Sequence, residues 1–289
     1  MIDPTLVLQA LVSGVLAAGL YALVSVGLAL AIGVIGIVNF AHGEFFMVGA
    51  FFAYQLFVSF GIDPVVSLFL VAPALGLIGA AIYSGTIRFV LKAPELNQML
   101  LTFGIGIILQ NLALLVWGGD PRTIAGIAYR SIGVQLGPIS VGVVPLASFV
   151  ISLALVLGLY WMLARTATGR AMRAVAQNRV GAALVGLEVN RVYLVAFALS
   201  ALLAGIGGVM IAVIQSPTPT IGLAFTLKAF AIVVVAGLGN IRGVLVASLF
   251  VAIAESMVAT LVPNGDTLRN AVFFAIIFVV LVWRSRRVA

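Results

Sequence analysis

The stretch Gly33-Val34-Ile35-Gly36-Ile37-Val38-Asn39-Phe40-Ala41-His42-Gly43-Glu44-Phe45-Phe46 decides how this chain is read. It separates two apolar runs, 6–32 and 44–60, yet it holds Asn39, His42 and Glu44 among three glycines. About 20 apolar residues cross the hydrocarbon of a bilayer, and the first flank exceeds that length. Glycine permits non-helical backbone, which at membrane depth is tolerated only inside protein or along a water-filled path. Two readings follow. The stretch is either an ordinary surface turn or a broken helix whose Asn39, His42 and Glu44 line a path near the midplane.

Outward from this stretch the whole chain keeps the same character. Of its 289 residues 64% are hydrophobic and 8% charged, against roughly 45–50% and about 25% in soluble domains. Mean hydropathy is +1.30, so the natural solvent is lipid. Apolar runs recur at 6–32, 44–60, 65–87, 96–117, 144–164, 192–214, 222–238, 244–262 and 268–283. The expected fold class is an all-α, polytopic membrane bundle of about 8–9 spans, forming one transmembrane domain over 1–289. The second and seventh runs are short and glycine-flanked, which makes them the candidates for broken or re-entrant segments. The opening Met1-Ile2-Asp3-Pro4-Thr5 lacks a basic n-region, so the first run is expected to remain as a span.

Net charge is +7, and its placement is informative. Arg88, Lys92, Arg165, Arg170, Arg173, Arg179, Arg191, Arg242, Arg284, Arg286 and Arg287 fall on one side of the alternating spans; Arg122, Arg130 and Arg269 fall on the other. The positive-inside rule makes the basic side cytoplasmic, with the N-terminus out and the C-terminus in. This asymmetry accounts for the charge without nucleic acid.

Enzyme chemistry finds no foothold. The chain has no cysteine and a single histidine, which removes disulfides, thiolates and His clusters as metal sites. No phosphate loop, H-E-x-x-H or G-x-S-x-G occurs, and Asp3, Asp63, Asp120 and Asp266 lie at span edges or in loops. No cofactor is expected.

The remaining signals are polar groups in apolar runs. Thr102, Gly106 and Gln110 share one helix face, with Asn111 beside it, and face either another helix or a wet route. Ser200, Ala204, Gly208 and Ala212 form a small-residue ridge for close helix packing. Asn39–Gly43 and Asn240–Gly243 give a weak hint of duplication. In the hairpin of the seventh and eighth runs Lys228 falls opposite Ala254, next to Glu255; the two are an ion-pair candidate, with snorkelling or a substrate role as alternatives. The segment 165–191 repeats Met172, Val175, Ala176, Val180, Ala183 and Leu187 at helical spacing, with Arg170, Arg173 and Gln177 on another face. Such a basic amphipathic helix lies on anionic lipid or docks in a partner. The long loop 118–143 is expected to contact a partner or close the outer mouth.

Three motifs in order resemble the permease subunits of ATP-binding-cassette importers for branched-chain amino acids. They are Val38–Glu44, Gly169–Ala176 continuing through Ala182–Gly186, and Lys228-Ala229-Phe230 with Gly237–Gly243. The resemblance implies a permease in the inner (plasma) membrane, working with a second permease subunit, two cytoplasmic ATPases and an extracytoplasmic solute-binding protein. It places ATPase docking on Arg170, Arg173, Gln177, Ala182, Ala183 and Gly186. The family's E-A-A-x-x-x-G pattern is not met, because Gly181-Ala182-Ala183 lacks the glutamate and reaches Gly186 after two residues. The rival readings are an ion-coupled secondary transporter or a channel, for which Glu44 and Glu255 are the only coupling candidates.

Overall fold

The structure is a computed structural model and describes residues 3–285. Arg286 and Arg287 of the basic tail lie outside the described residues. Helix starts are written into the sequence. Asp-Pro opens both α1 (Pro4–Ile35) and α3 (Pro64–Ile82): Asp3 accepts from Thr5 N at 2.9 Å and Asp63 from Val65 N at 2.8 Å. In each, proline fills the first turn, where its missing N–H costs nothing. Between them runs α2 (His42–Phe60). A π-helical turn, Tyr83–Ile87, carries α3 into the short α4 (Arg88–Val90), and α5 (Glu95–Trp117) follows.

The second half contains α6 (Val143–Arg165), α7 (Ala167–Gln177), α8 (Arg179–Leu184), α9 (Val189–Ile214), α10 (Ile221–Ala236), α11 (Ile241–Leu261) and α12 (Gly265–Ser285). Among the described residues 7 helical stretches are long and apolar enough to cross a membrane, and α10 is a shorter apolar helix. The architecture is thus a polytopic helical membrane bundle. It is not purely helical: β1 (Gly133–Leu136) and β2 (Ile139–Gly142) form an antiparallel hairpin within the loop 118–143. The sequence reading missed this hairpin, because ten residues around Gly137-Pro138 alternate too weakly to stand out beside 20-residue apolar runs.

Burial explains the layering. α1 and α9 form the centre, whereas α3, α5 and α6 turn large apolar side chains outward, with Phe69 81%, Leu115 83% and Trp161 63% exposed. Such a surface belongs against lipid or another apolar chain. α1 packs along α11 and α9 packs along α3, while α2 and α10 meet at the centre. These contacts match as in an inverted repeat, with α1–α2–α3 answering α9–α10–α11. The weak sequence hint paired the wrong segments. Residues 36–41 before α2 correspond to 215–220 before α10, and Asn240 instead caps α11 by accepting from Gly243 N at 3.1 Å.

The stretch 33–46 is resolved by its depth. α1 ends at Gly36 with φ 82°, a conformation glycine adopts without strain. The chain then turns back, and α2 begins with His42 against Val24 of α1, about three turns before that helix ends. The second span therefore starts at His42 rather than 44, and its first turn lies inside the bundle. The ridge Ser200, Ala204, Gly208, Ala212 is buried on the central helix α9, where Ser200 meets His42 and Gly208 meets the backbone of Phe46.

Candidate functional site

Three places gather the polar residues. The first is the junction of α2, α5, α9 and α10. His42 Nε2 donates to Val24 O at 2.8 Å, since a carbonyl only accepts, and Ser200 Oγ lies 3.4 Å from Nδ1. Gly43 N donates to Thr226 Oγ1 at 2.8 Å. Thr102 Oγ1 accepts from Phe40 N at 3.2 Å and donates within reach of Met99 O, at 3.0 Å. Asn39 caps its own turn by accepting from Ala41 N at 3.1 Å. Asn39, His42, Glu44 and Thr102 are all at most 5% exposed. The Glu44 carboxylate packs on Gly222 at the start of α10 and beside Gly106, and its Oε2 has no hydrogen-bond partner.

Asn39, Thr102 and Thr226 serve the backbone of a re-entrant turn and His42 ties it to α1, whereas Glu44 bonds no backbone there. The structure brings Asn39, His42, Glu44, Thr102 and Gly106 together, but neither of the two cavities described below is lined by any of them. Gln110 stands at the half-buried edge of the α5 face, and Asn111 is exposed and bonds its own helix at Ile107 O, 2.8 Å. The α5 stripe therefore divides into a buried helix contact at 102 and 106 and a peripheral end at 110.

The second place is a cluster under the β hairpin. Lys228 Nζ lies 2.9 Å from Glu255 Oε1 and donates to Glu255 Oε2 at 3.0 Å and to Tyr21 Oη at 2.9 Å. Tyr21 in turn donates to Glu255 Oε2 at 2.6 Å. The ammonium also sits 5.0 Å from the Tyr21 ring centroid, within cation–π range. Tyr21 escaped the sequence reading. The signal available was a phenolic hydroxyl in the middle of an apolar run, which needs a partner in lipid. Lys228 and Tyr21 line a cavity of about 460 Å³ between α1, α6, α9 and α10. The hairpin sits over it. Gln9 clamps Ser140 from both sides, donating to its O at 2.9 Å and accepting from its N at 3.0 Å. Arg122 N donates to Pro217 O at 3.0 Å, and Tyr129 Oη reaches both Asp63 oxygens, at 3.0 and 2.9 Å.

The third place is the basic end. The segment 165–191 is not one amphipathic helix: Asn178, at φ −153°, breaks it and caps α8 by accepting from Gly181 N at 2.9 Å. Met172, Val175 and Ala182 are buried, while Val180 and Leu184 are 67% and 83% exposed. Of the six docking candidates, Ala182 is buried in the chain's own core. Arg170, Arg173, Gln177, Ala183 and Gly186 are exposed. Arg170 and Arg173 reach back to Arg165 O and Ala164 O at 3.2 and 3.5 Å, where cations complement the carbonyls ending α6. Arg173 also lines a cleft of about 470 Å³ with Tyr160, Asn240 and Arg242.

Apolar outer faces, buried polar junctions and cavities at both ends of α1 define a polytopic α-helical membrane protein. The model of a family described as branched-chain amino acid transport system / permease component matches residues 10–281, and the chain belongs to that family. Among its relatives is the high-affinity branched-chain amino acid transport system permease protein BraD of Pseudomonas aeruginosa, 29% identical, covering 96% of this chain and 94% of that protein. LivH of Escherichia coli K12, named as the same kind of permease, is 26% identical over 95% of this chain and 92% of its own length. A probable branched-chain amino acid permease, LivH of Methanocaldococcus jannaschii, is 29% identical over 83% and 77%. No solved structure matches the chain.

Proposed function

We propose that this chain is the permease subunit of an ATP-driven importer that carries branched-chain amino acids across the inner (plasma) membrane. The observation that carries the reading is the match over 10–281 together with named permeases aligned over nearly their full length. The helices, with α10 and α12 added to the longer ones, make nine crossings with the N-terminus outside and the C-terminus inside. This places the hairpin over the outer mouth, as a surface for a solute-binding protein, and α7–α8 in the cytoplasm. ATP hydrolysis belongs to two separate subunits, and a second permease completes the pore.

Docking of the ATPases is supported by the exposed Arg170, Arg173, Gln177, Ala183 and Gly186, joined by the bare apolar Val180 and Leu184. Asn39, His42, Glu44, Thr102, Gly106 and Gln110 serve the pathway as the wall that holds α2 and α5 in place. The chain reconstituted with its ATPases and binding protein should take up leucine only with ATP; uptake driven by an ion gradient alone would instead favour the secondary-transporter reading. Single cysteines at Ser140 and Val185, clean because the chain has none, should be labelled from opposite sides. Labelling of both from one side would overturn the topology. Charge reversal at Arg170 and Arg173 should uncouple ATP hydrolysis from uptake while the protein stays in the membrane, and normal uptake would remove the docking role.

A further inference from the structure

The cavity under the hairpin is about 460 Å³, within the usual range for small-molecule pockets. Its walls have two characters. Leu16, Leu20, Ile214 and Phe225 form an apolar side, and Lys228 presents its ammonium at the floor, with Tyr21 beside it. Glu255 lies behind, 2% exposed, and binds both Tyr21 and Lys228. The ammonium is thus held at a fixed point by two groups on other helices, while its side chain remains 12% exposed.

We propose that this cavity is a binding station for an amphiphilic zwitterion. The Lys228 ammonium takes the carboxylate, Tyr21 and Glu255 act as positioning residues for that ammonium, and the apolar wall takes the side chain. Charge accounting selects the class. The Lys228–Glu255 pair is neutral, so a zwitterion enters without adding net charge to a low-dielectric interior. A simple carboxylate would leave one uncompensated anion there, and a simple amine one uncompensated cation. At the rim the Gln215 amide, and inside the Ser13 and Ser148 hydroxyls, offer acceptors for the solute's ammonium. That the side chain is of leucine type rests on the proposed function; the station itself rests on the cavity and the cluster.

The test uses the full complex in proteoliposomes, with wild type, Lys228→Arg, Lys228→Met, Lys228→Met/Glu255→Gln and Ala17→Phe, Ala17 being another lining residue. The probes are leucine, its deaminated acid 4-methylpentanoate and 3-methylbutylamine. The double variant restores neutrality, so it should melt near wild type yet take up leucine about 10- to 100-fold more slowly at subsaturating solute, as for a lost charge-assisted hydrogen bond. Ala17→Phe, which fills the cavity, should do the same, and Lys228→Arg should retain part of the uptake. Binding to the solubilised complex should favour leucine over both analogues. Recovery of uptake in the double variant, or an inert Ala17→Phe, overturns the station and makes the pair structural, even while wild-type leucine uptake upholds the importer. Failure of leucine uptake in wild type, with Lys228-dependent binding of another zwitterion, overturns the proposed solute and upholds the station.

Discussion

The junction around His42 and the cluster around Lys228 both bury polar side chains in an apolar bundle, but they dispose of them oppositely. At His42 the partners are largely backbone atoms: Val24 O for the imidazole, Phe40 N for Thr102, Gly43 N for Thr226. At Lys228 the partners are side chains from two other helices, Tyr21 of α1 and Glu255 of α11, and a cavity lies against them. Polar groups spent on backbone hold a fold together, because the alternative is an unpaired amide in lipid. Polar groups that hold one another beside a cavity remain able to exchange partners. Residue type alone cannot separate the two cases; the destination of each hydrogen bond does.

The comparison breaks first at its tightest point. A Cβ on Gly208 would strike Phe46 O and Ala50 N, both backbone atoms of α2 that cannot swing aside. Gly208→Leu should therefore abolish the folded bundle, read as loss of the monodisperse peak of the detergent-solubilised protein. A normal peak would mean that the α2–α9 contact tolerates separation and that the His42 junction is not the rigid half of the molecule.

A smaller but still large effect is expected at Lys228. Removing one member of a buried pair leaves an uncompensated charge, at a cost of about 3–5 kcal/mol. Lys228→Met and Glu255→Gln should each lower the melting temperature markedly, and the double variant should regain most of the loss. Strictly additive losses would show that the two residues are energetically separate despite their 2.9 Å contact.

How much of this was legible in the sequence follows the same division. Apolar runs of membrane length announce themselves, and the depth rule for the hairpin of the seventh and eighth runs brought Lys228 and Glu255 to one level without any knowledge of α1. Tyr21 was not legible, since its role depends on α1 lying along α11, a contact between residues more than 200 apart in sequence. The motif at 38–44 was visible as unusual, but whether it faced water or backbone depends on where α2 re-enters, and one sequence has no depth marker for that. In the segment 165–191 helical periodicity was legible and the break at Asn178 was not, because the apolar spacing continues across it.

The junction is next tested by Thr102→Val, which keeps the shape and removes the acceptor of Phe40 N. An unsatisfied buried N–H costs about 1–3 kcal/mol, so stability should fall by that order while uptake by the surviving folded protein stays near wild type. A single cysteine at 102 should resist water-soluble reagents. Ready labelling at 102 and 106 would open the junction to water and erase the distinction between the two regions.

The smallest effect is expected where the loop carrying the hairpin is tied to the start of α3. Tyr129 donates to Asp63, and burial together with that carboxylate raises the phenol above its ordinary value of 10.0. The sign follows from linkage. A group whose folded pKa is raised contributes its stabilisation fully below the unfolded pKa and loses it as pH rises through the folded value. The anchor should hold through neutral pH and weaken only above about pH 10, where phenolate and Asp63 repel. Tyr129→Phe should cost about 0.5–1.5 kcal/mol, one ordinary hydrogen bond, at neutral pH and should flatten the alkaline loss. Hydrogen exchange at 133–142 measures both. An alkaline loss undiminished in Tyr129→Phe would place the anchor elsewhere, at the Gln9–Ser140 clamp or the Arg122–Pro217 bond.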